Sequence, residues 1–153
     1  MSESNSSAGE MDASLIRNDT ADAHNVAQFR SALSGWLRRH FALDPVRFND
    51  VVLAVNEALT NAAEFAYRGG IGPMTMYARH HAADRQLEVV ISDHGSWRYV
   101  DPENRPNTRG RGIPLMQALA DRATISRQPT GTEVRLEFDD CGLATQNACS
   151  ASV

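Results

Sequence analysis

The sequence predicts an α/β fold: a two-layer sandwich with a mixed, mostly antiparallel sheet and helices on one face. Apolar residues recur at helical spacing over two stretches in the first half of the chain. Two pairs of short alternating segments follow, with a third helical run between the pairs. The order is therefore strand, helix, helix, two strands, long loop, helix, two strands.

Each element has a local cause. Leu15 and Ile16 suggest a short first strand. Asp19 or Thr20 is placed to cap a helix in which Val26, Phe29, Leu33, Trp36 and Leu37 form one apolar stripe. A second helix opens with Asp44 as its cap and Pro45 in its first turn. Its stripe runs Val51, Val55, Leu59, Ala62 and Ala66, and Gly69-Gly70 is expected to end it. Met74, Met76 and Ala78 alternate with Thr75, Tyr77 and Arg79. After a turn at Ala83-Asp84, Leu87 to Ile91 completes a hairpin. Residues 93–109 are rich in Gly, Pro, Asn, Asp and Arg and have no period, which in a compact domain marks a functional loop. A third helix runs from Ile113 to about Asp121. Thr124 to Arg127 and Thr132 to Phe138, turned at Pro129-Thr130-Gly131, form the second hairpin.

Bulk properties narrow the function classes. The 153 residues suit one domain, expected over 12–139, between a polar, disordered tail at 1–11 and a flexible one at 140–153. No apolar run is long enough to span a membrane, and the polar N-terminus is no secretory signal, so a cytoplasmic protein is expected. The net charge is −4 without a basic block, which argues against direct nucleic-acid binding. All 15 basic residues are arginine. A P-loop needs its lysine on the phosphates, so any nucleotide must be held another way. Cys141 and Cys149 match no zinc spacing and are expected as reduced tail residues.

Four local features are able to carry chemistry, and each has an everyday alternative. Glu57 and Asn61 are four apart on the second helix, a carboxylate beside a carboxamide that can bind a hard cation and accept a proton. They equally suit the wet face of an amphipathic helix, opposite Val55, Leu59 and Ala62. Asp93-His94-Gly95 follows a strand directly, where the carboxylate can accept from an amino group and the glycine lets a flat ring approach. That run is also ordinary turn chemistry. Arg109-Gly110-Arg111-Gly112 opens a helix, where free N–H groups, the helix dipole and arginine forks attract phosphate. Gly131-Thr132 is the fourth feature, and its everyday reading is a hairpin turn followed by a β-branched strand start.

Taken in order, these runs resemble a known family. Asn56-Glu57-Ala58-Leu59-Thr60-Asn61-Ala62 through Ala66-Tyr67 is similar to the N-box of the histidine-kinase-like ATPases. Asp93-His94-Gly95-Ser96-Trp97-Arg98 resembles their first glycine box, and Arg109 to Met116 their second. Gly131-Thr132-Glu133-Val134 resembles their terminal box. The wording resembles most the anti-sigma regulatory factors, bacterial serine/threonine kinases. The resemblance implies a histidine-kinase-like ATPase fold that binds ATP and Mg2+. It implies Glu57 as general base, Asn61 as magnesium ligand, Asp93 and Gly95 on adenine, and Gly110, Arg111 and Gly112 on phosphate. Arg109 would steady the phosphates, and Thr132 would lie near the adenine and the Asp. It further implies an anti-sigma-factor antagonist as substrate, a sigma factor as second partner, and a possible homodimer.

Departures from the family pattern also carry information. Phe65 stands where many relatives have His, and Trp97 where a second glycine is usual. No helix with a phospho-accepting His precedes the domain here, which points away from a two-component sensor kinase. His24, His40, His80, His81 and His94 lack ligand spacing, and His80 and His81 are expected on opposite faces of a strand. The alternative function is a nucleotide-gated binding protein without phosphotransfer, and a third is a kinase module working beside a separate phosphatase.

Overall fold

A computed structural model describes residues 13–67, 70–95 and 112–144. Strand β1 (Ser14–Thr20) leads into helices α1 (Ala23–His40) and α2 (Pro45–Asn61), and a π turn (Ala62–Ala66) continues α2. Strands β2 (Pro73–His81) and β3 (Gln86–Asp93), helix α3 (Gly112–Leu119), and strands β4 (Arg122–Gln128) and β5 (Gly131–Phe138) follow. The sheet order is β1-β2-β3-β5-β4. All four pairings are antiparallel, so the mostly antiparallel sheet expected from sequence is wholly so among the described residues.

One sheet face packs on the helices. Met74, Met76, Ala78 and His80 of β2 are buried, while Thr75, Tyr77, Arg79 and His81 alternate with them and stay half-buried. The core joins these residues to Val26, Phe29, Leu33, Trp36 and Leu37 of α1 and to Val51, Val55 and Leu59 of α2. Met116 of α3 and Leu136 and Phe138 of β5 complete it. His80 and His81 do diverge. His80 Nε2 lies 2.8 Å from the Cys141 carbonyl in the core, whereas His81 Nε2 lies 2.7 Å from Glu88 Oε1 on the far face. Arg135 joins that far-face network through Glu88 and Glu133. Among the described residues no helix is long and apolar enough to cross a membrane.

Three local readings are corrected. Asp22, not Asp19 or Thr20, caps α1, its carboxylate accepting from Asn25 N at 2.8 Å. Asp19 and Thr20 stay in β1 because pairing with β2 continues to Thr20 opposite Pro73. Helix α2 starts as expected, with Asp44 accepting from Arg47 N at 2.7 Å and Pro45 in the first turn. It does not run regularly to the glycines, since the ladder widens to a π turn over Ala62–Ala66. Gly69 lies outside the described residues.

The third correction concerns the C-terminal side. Residues 141–144 pack on the domain although a flexible tail is expected from 140. Cys141 N donates to the Arg85 carbonyl, Ala42 N to Gly142, and Ala144 N to His40, with Leu143 bridged to Phe41. Cys141 is fully buried, and burial pushes its thiol up, the nearby Arg47 guanidinium opposing. Cys149 lies outside the described residues. In a Cys149→Ser background, the Cys141 thiol is therefore expected to resist a thiol reagent in native buffer and to react as the protein unfolds. Full reaction within minutes under native conditions would show that the segment does not cover it.

Candidate functional site

Asp93 is the last residue of β3, opposite Thr132 on β5 and Met74 on β2. Both Asp93 and Thr132 are buried, at 4% and 3% exposure. A buried carboxylate needs donors. Gly95 N donates to Asp93 Oδ1 at 3.0 Å and Thr132 N to the same oxygen at 3.3 Å. The sheet register delivers the second donor, and the turn after β3 delivers the first. The carboxylate is thus fixed in orientation by main chain of the turn after β3 and of β5.

Two glycines allow the segments to close on one another. A Cβ on Gly95 would stand 2.0 Å from the Ala66 carbonyl oxygen, at the end of the π turn. Gly131, with φ at +156°, would place a Cβ 2.1 Å from the Asp93 carbonyl oxygen. The exit of β3 therefore lies directly on the turn that leaves α2 and on the entry to β5. Tyr67 spans the same junction. Its hydroxyl donates to the Pro73 carbonyl at 2.6 Å and accepts from His94 N at 2.7 Å. Burial raises the Tyr67 phenol above its usual range; Asp93 adds to the rise and the His94 N–H opposes it.

Asn61 ends α2 and is 8% exposed, so it is not on a solvated face. Glu57, one turn earlier, is half-buried. The alternative in which both lie on a wet face does not hold for Asn61, because α2 is buried over a broad arc: Ala54 and Ala58 are covered as fully as Val55 and Leu59. Between them, Asn56 accepts from Arg30 Nη1 of α1 at 2.8 Å, which pins the two helices together. Gly112 is the first residue of α3, as expected for a helix start. Arg109, Gly110 and Arg111 lie outside the described residues, as does the rest of the 96–111 loop.

The structure thus joins Asp93, Gly95 and Thr132 by direct bonds, and joins this group to the end of α2 through Ala66. Among the described residues no three His, Cys, Asp or Glu side chains gather as metal ligands. The carboxamide oxygen of Asn61 is a donor of the kind a hard cation takes. From sequence, Tyr67 is only the last residue of the run similar to the N-box, with no role of its own. Its position at the end of the α2 stripe, just before a glycine-rich link, was the available signal. A separate open groove of about 620 Å3 between β1 and α1, lined by Arg17, Asp19, His24 and Gln28 among others, shares none of these residues.

Residues 20–138 match the histidine kinase-like ATPase domain family. The chain is 30% identical over 125 residues to the serine-protein kinase RsbW of Staphylococcus aureus, covering 71% of this chain and 76% of that protein. Its fold is similar to a Mycobacterium tuberculosis structure of RsbU and RsbW domains, with a TM-score of 0.65 and 22% identity over 84% of this chain. The chain spans 33% of that chain's length. It is also similar in fold to a blue-light activated histidine kinase of Erythrobacter litoralis, with a TM-score of 0.51 and 18% identity over 82% of this chain and 42% of that one.

Proposed function

We propose that this chain, which belongs to the histidine kinase-like ATPase family and within it to the anti-sigma regulatory serine kinases, binds ATP with magnesium and phosphorylates a serine or threonine of a protein partner. The observation that carries this reading is the Asp93 carboxylate, buried and oriented by the Gly95 and Thr132 amides. Such a fixed acceptor suits an exocyclic amino group on a flat base, with Gly95 giving the ring its approach and Thr132 beside it.

The remaining roles follow from chemistry and chain position. The Asn61 carboxamide oxygen is a hard ligand at the end of α2 and would hold the magnesium. A magnesium ion there would neutralise charge on the phosphates. Arg109, Gly110, Arg111 and Gly112 supply guanidinium forks and N–H groups at the start of α3 for the phosphates. Glu57, one turn before Asn61, would orient the acceptor hydroxyl and take its proton as the new oxygen–phosphorus bond forms and ADP departs. The substrate class is an anti-sigma-factor antagonist, and the second partner a sigma factor held by the same protein in the cytoplasm. The similarity to the serine-protein kinase of Staphylococcus aureus supports the transfer of phosphate to a protein serine.

Transfer of radiolabelled phosphate from ATP to candidate antagonists tests the whole reading. A protein that binds ATP and a partner yet transfers nothing would be a nucleotide-gated binder instead. The adenine assignment has its own test. Asp93→Asn replaces an acceptor-only carboxylate with an amide able to turn N–H toward the base, and is expected to weaken ATP binding about 10–100-fold. Calorimetry showing unchanged affinity would overturn it.

A further inference from the structure

We propose that Tyr67 is a positioning residue for the adenine end of this site: its hydroxyl pins the Asp93–Gly95 strap to the π turn that leaves α2. The inference rests on the nucleotide-binding reading above and adds to it a residue that touches neither the base nor the phosphates.

The geometry is specific. One hydroxyl closes two bonds to different segments, donating to Pro73 O at 2.6 Å and accepting from His94 N at 2.7 Å. His94 is the residue between Asp93 and Gly95, so this bond holds the centre of the strap. Asp93 Oδ1 holds its far side by accepting from Gly95 N. Tyr67 itself immediately follows Ala66, whose carbonyl lies where a Gly95 Cβ would be. The strap is therefore pressed on the π turn at Gly95 and tied to its next residue at His94. The ring is seated with equal economy. A Cβ on Gly72 would meet Tyr67 Cε1 at 2.2 Å and Cζ at 2.3 Å, so the link between π turn and β2 is shaped around it. That link is closed by Gly70 N on the Tyr67 carbonyl at 2.6 Å, and tied to the start of α1 by Ala21 N on the Gly72 carbonyl at 2.8 Å.

A tyrosine needed only for packing would place its ring and leave its hydroxyl to water. Here the hydroxyl uses both its donor and acceptor capacity on main chain. Removing it frees the His94 N–H, and the strap can then lift from the π turn without unfolding the sheet. The Asp93 carboxylate would lose its fixed angle, while every apolar contact of the ring stays.

The test uses the full chain and magnesium–ATP. Tyr67→Phe is expected to weaken ATP binding about ten-fold, in line with two lost hydrogen bonds near the ligand, and to speed exchange of the His94 amide in the nucleotide-free protein. The double variant Tyr67→Phe/Asp93→Asn is expected to bind no more weakly than Asp93→Asn alone, since the pin acts through that carboxylate. Gly72→Ala, which displaces the ring but keeps the hydroxyl, is expected to weaken binding similarly and provides the measurement should Tyr67→Phe fail to fold. Affinity within two-fold of the parent, unchanged His94 exchange, or a loss that adds fully to that of Asp93→Asn would each overturn the proposal. If the parent does not bind ATP, or Asp93→Asn binds as well as the parent, the nucleotide reading itself has failed and this inference falls with it. The arms therefore tell the two failures apart.

Discussion

Glu57→Ala is expected to lower phosphate transfer to the antagonist by about 10²–10⁴ while leaving ATP affinity within a few-fold of the parent, the range typical of a positioned general base. The side chain is half-buried and lies on α2 one turn before Asn61, away from the Asp93–Thr132 junction by sequence and element. The proposed role asks it to serve the phosphate end without contacting the base. Its loss should cost the fold little, because the core of α2 is carried by Val51, Ala54, Val55, Ala58 and Leu59. The comparison variant Asn61→Ala behaves differently on this structure. As the proposed magnesium ligand Asn61 should carry metal-dependent binding, and because it is buried its truncation should also cost some stability. Single-turnover transfer and calorimetry on the same preparations separate the two. Transfer by Glu57→Ala at the parental rate would make Glu57 a partly solvated helix residue and nothing more.

Much of this arrangement was legible in the sequence, and the exceptions share a cause. The stripe Val26, Phe29, Leu33, Trp36 and Leu37 is buried as its spacing requires, and Asp44 with Pro45 opens α2 by local chemistry alone. Asp93 and Thr132 could be paired on paper only as motif partners; the β3–β5 register makes them neighbours. The run Asn18-Asp19-Thr20-Ala21-Asp22 offers several capping residues, and which one caps depends on where β1 stops pairing with β2. Local propensity cannot supply that. The π turn is likewise invisible in Ala62-Ala63-Glu64, where ordinary helix would do; its counterpart is the contact between Ala66 and Gly95, far apart in the chain. Cys141 to Ala144 looks like polar tail because its docking relies on main-chain bonds to His40, Ala42 and Arg85, which composition does not encode. In each case a long-range contact decided what a local rule left open.

The same contact sets the last expected result, for Gly95→Ala. A single methyl at this position would lie 2.0 Å from the Ala66 carbonyl oxygen, 2.5 Å from its carbon and 2.9 Å from its Cβ. The first two are backbone atoms, so no side-chain rotation relieves the clash; either the strap lifts or the π turn retreats. Overpacking of this kind costs about 1–3 kcal/mol, which for a domain of this size lowers Tm by roughly 5–15 °C. Lifting the strap also lengthens the bond from Gly95 N to Asp93 Oδ1 and removes the fixed orientation on which the adenine assignment depends. ATP affinity is therefore expected to fall at least as far as in Asp93→Asn, measured below the transition of the variant. His94→Ala is the control, because His94 is exposed and its role at this junction is carried by its main-chain N–H. If Gly95→Ala melts with the parent and binds ATP equally well, the strap is not held against the π turn. The site would then have to be rebuilt without that contact.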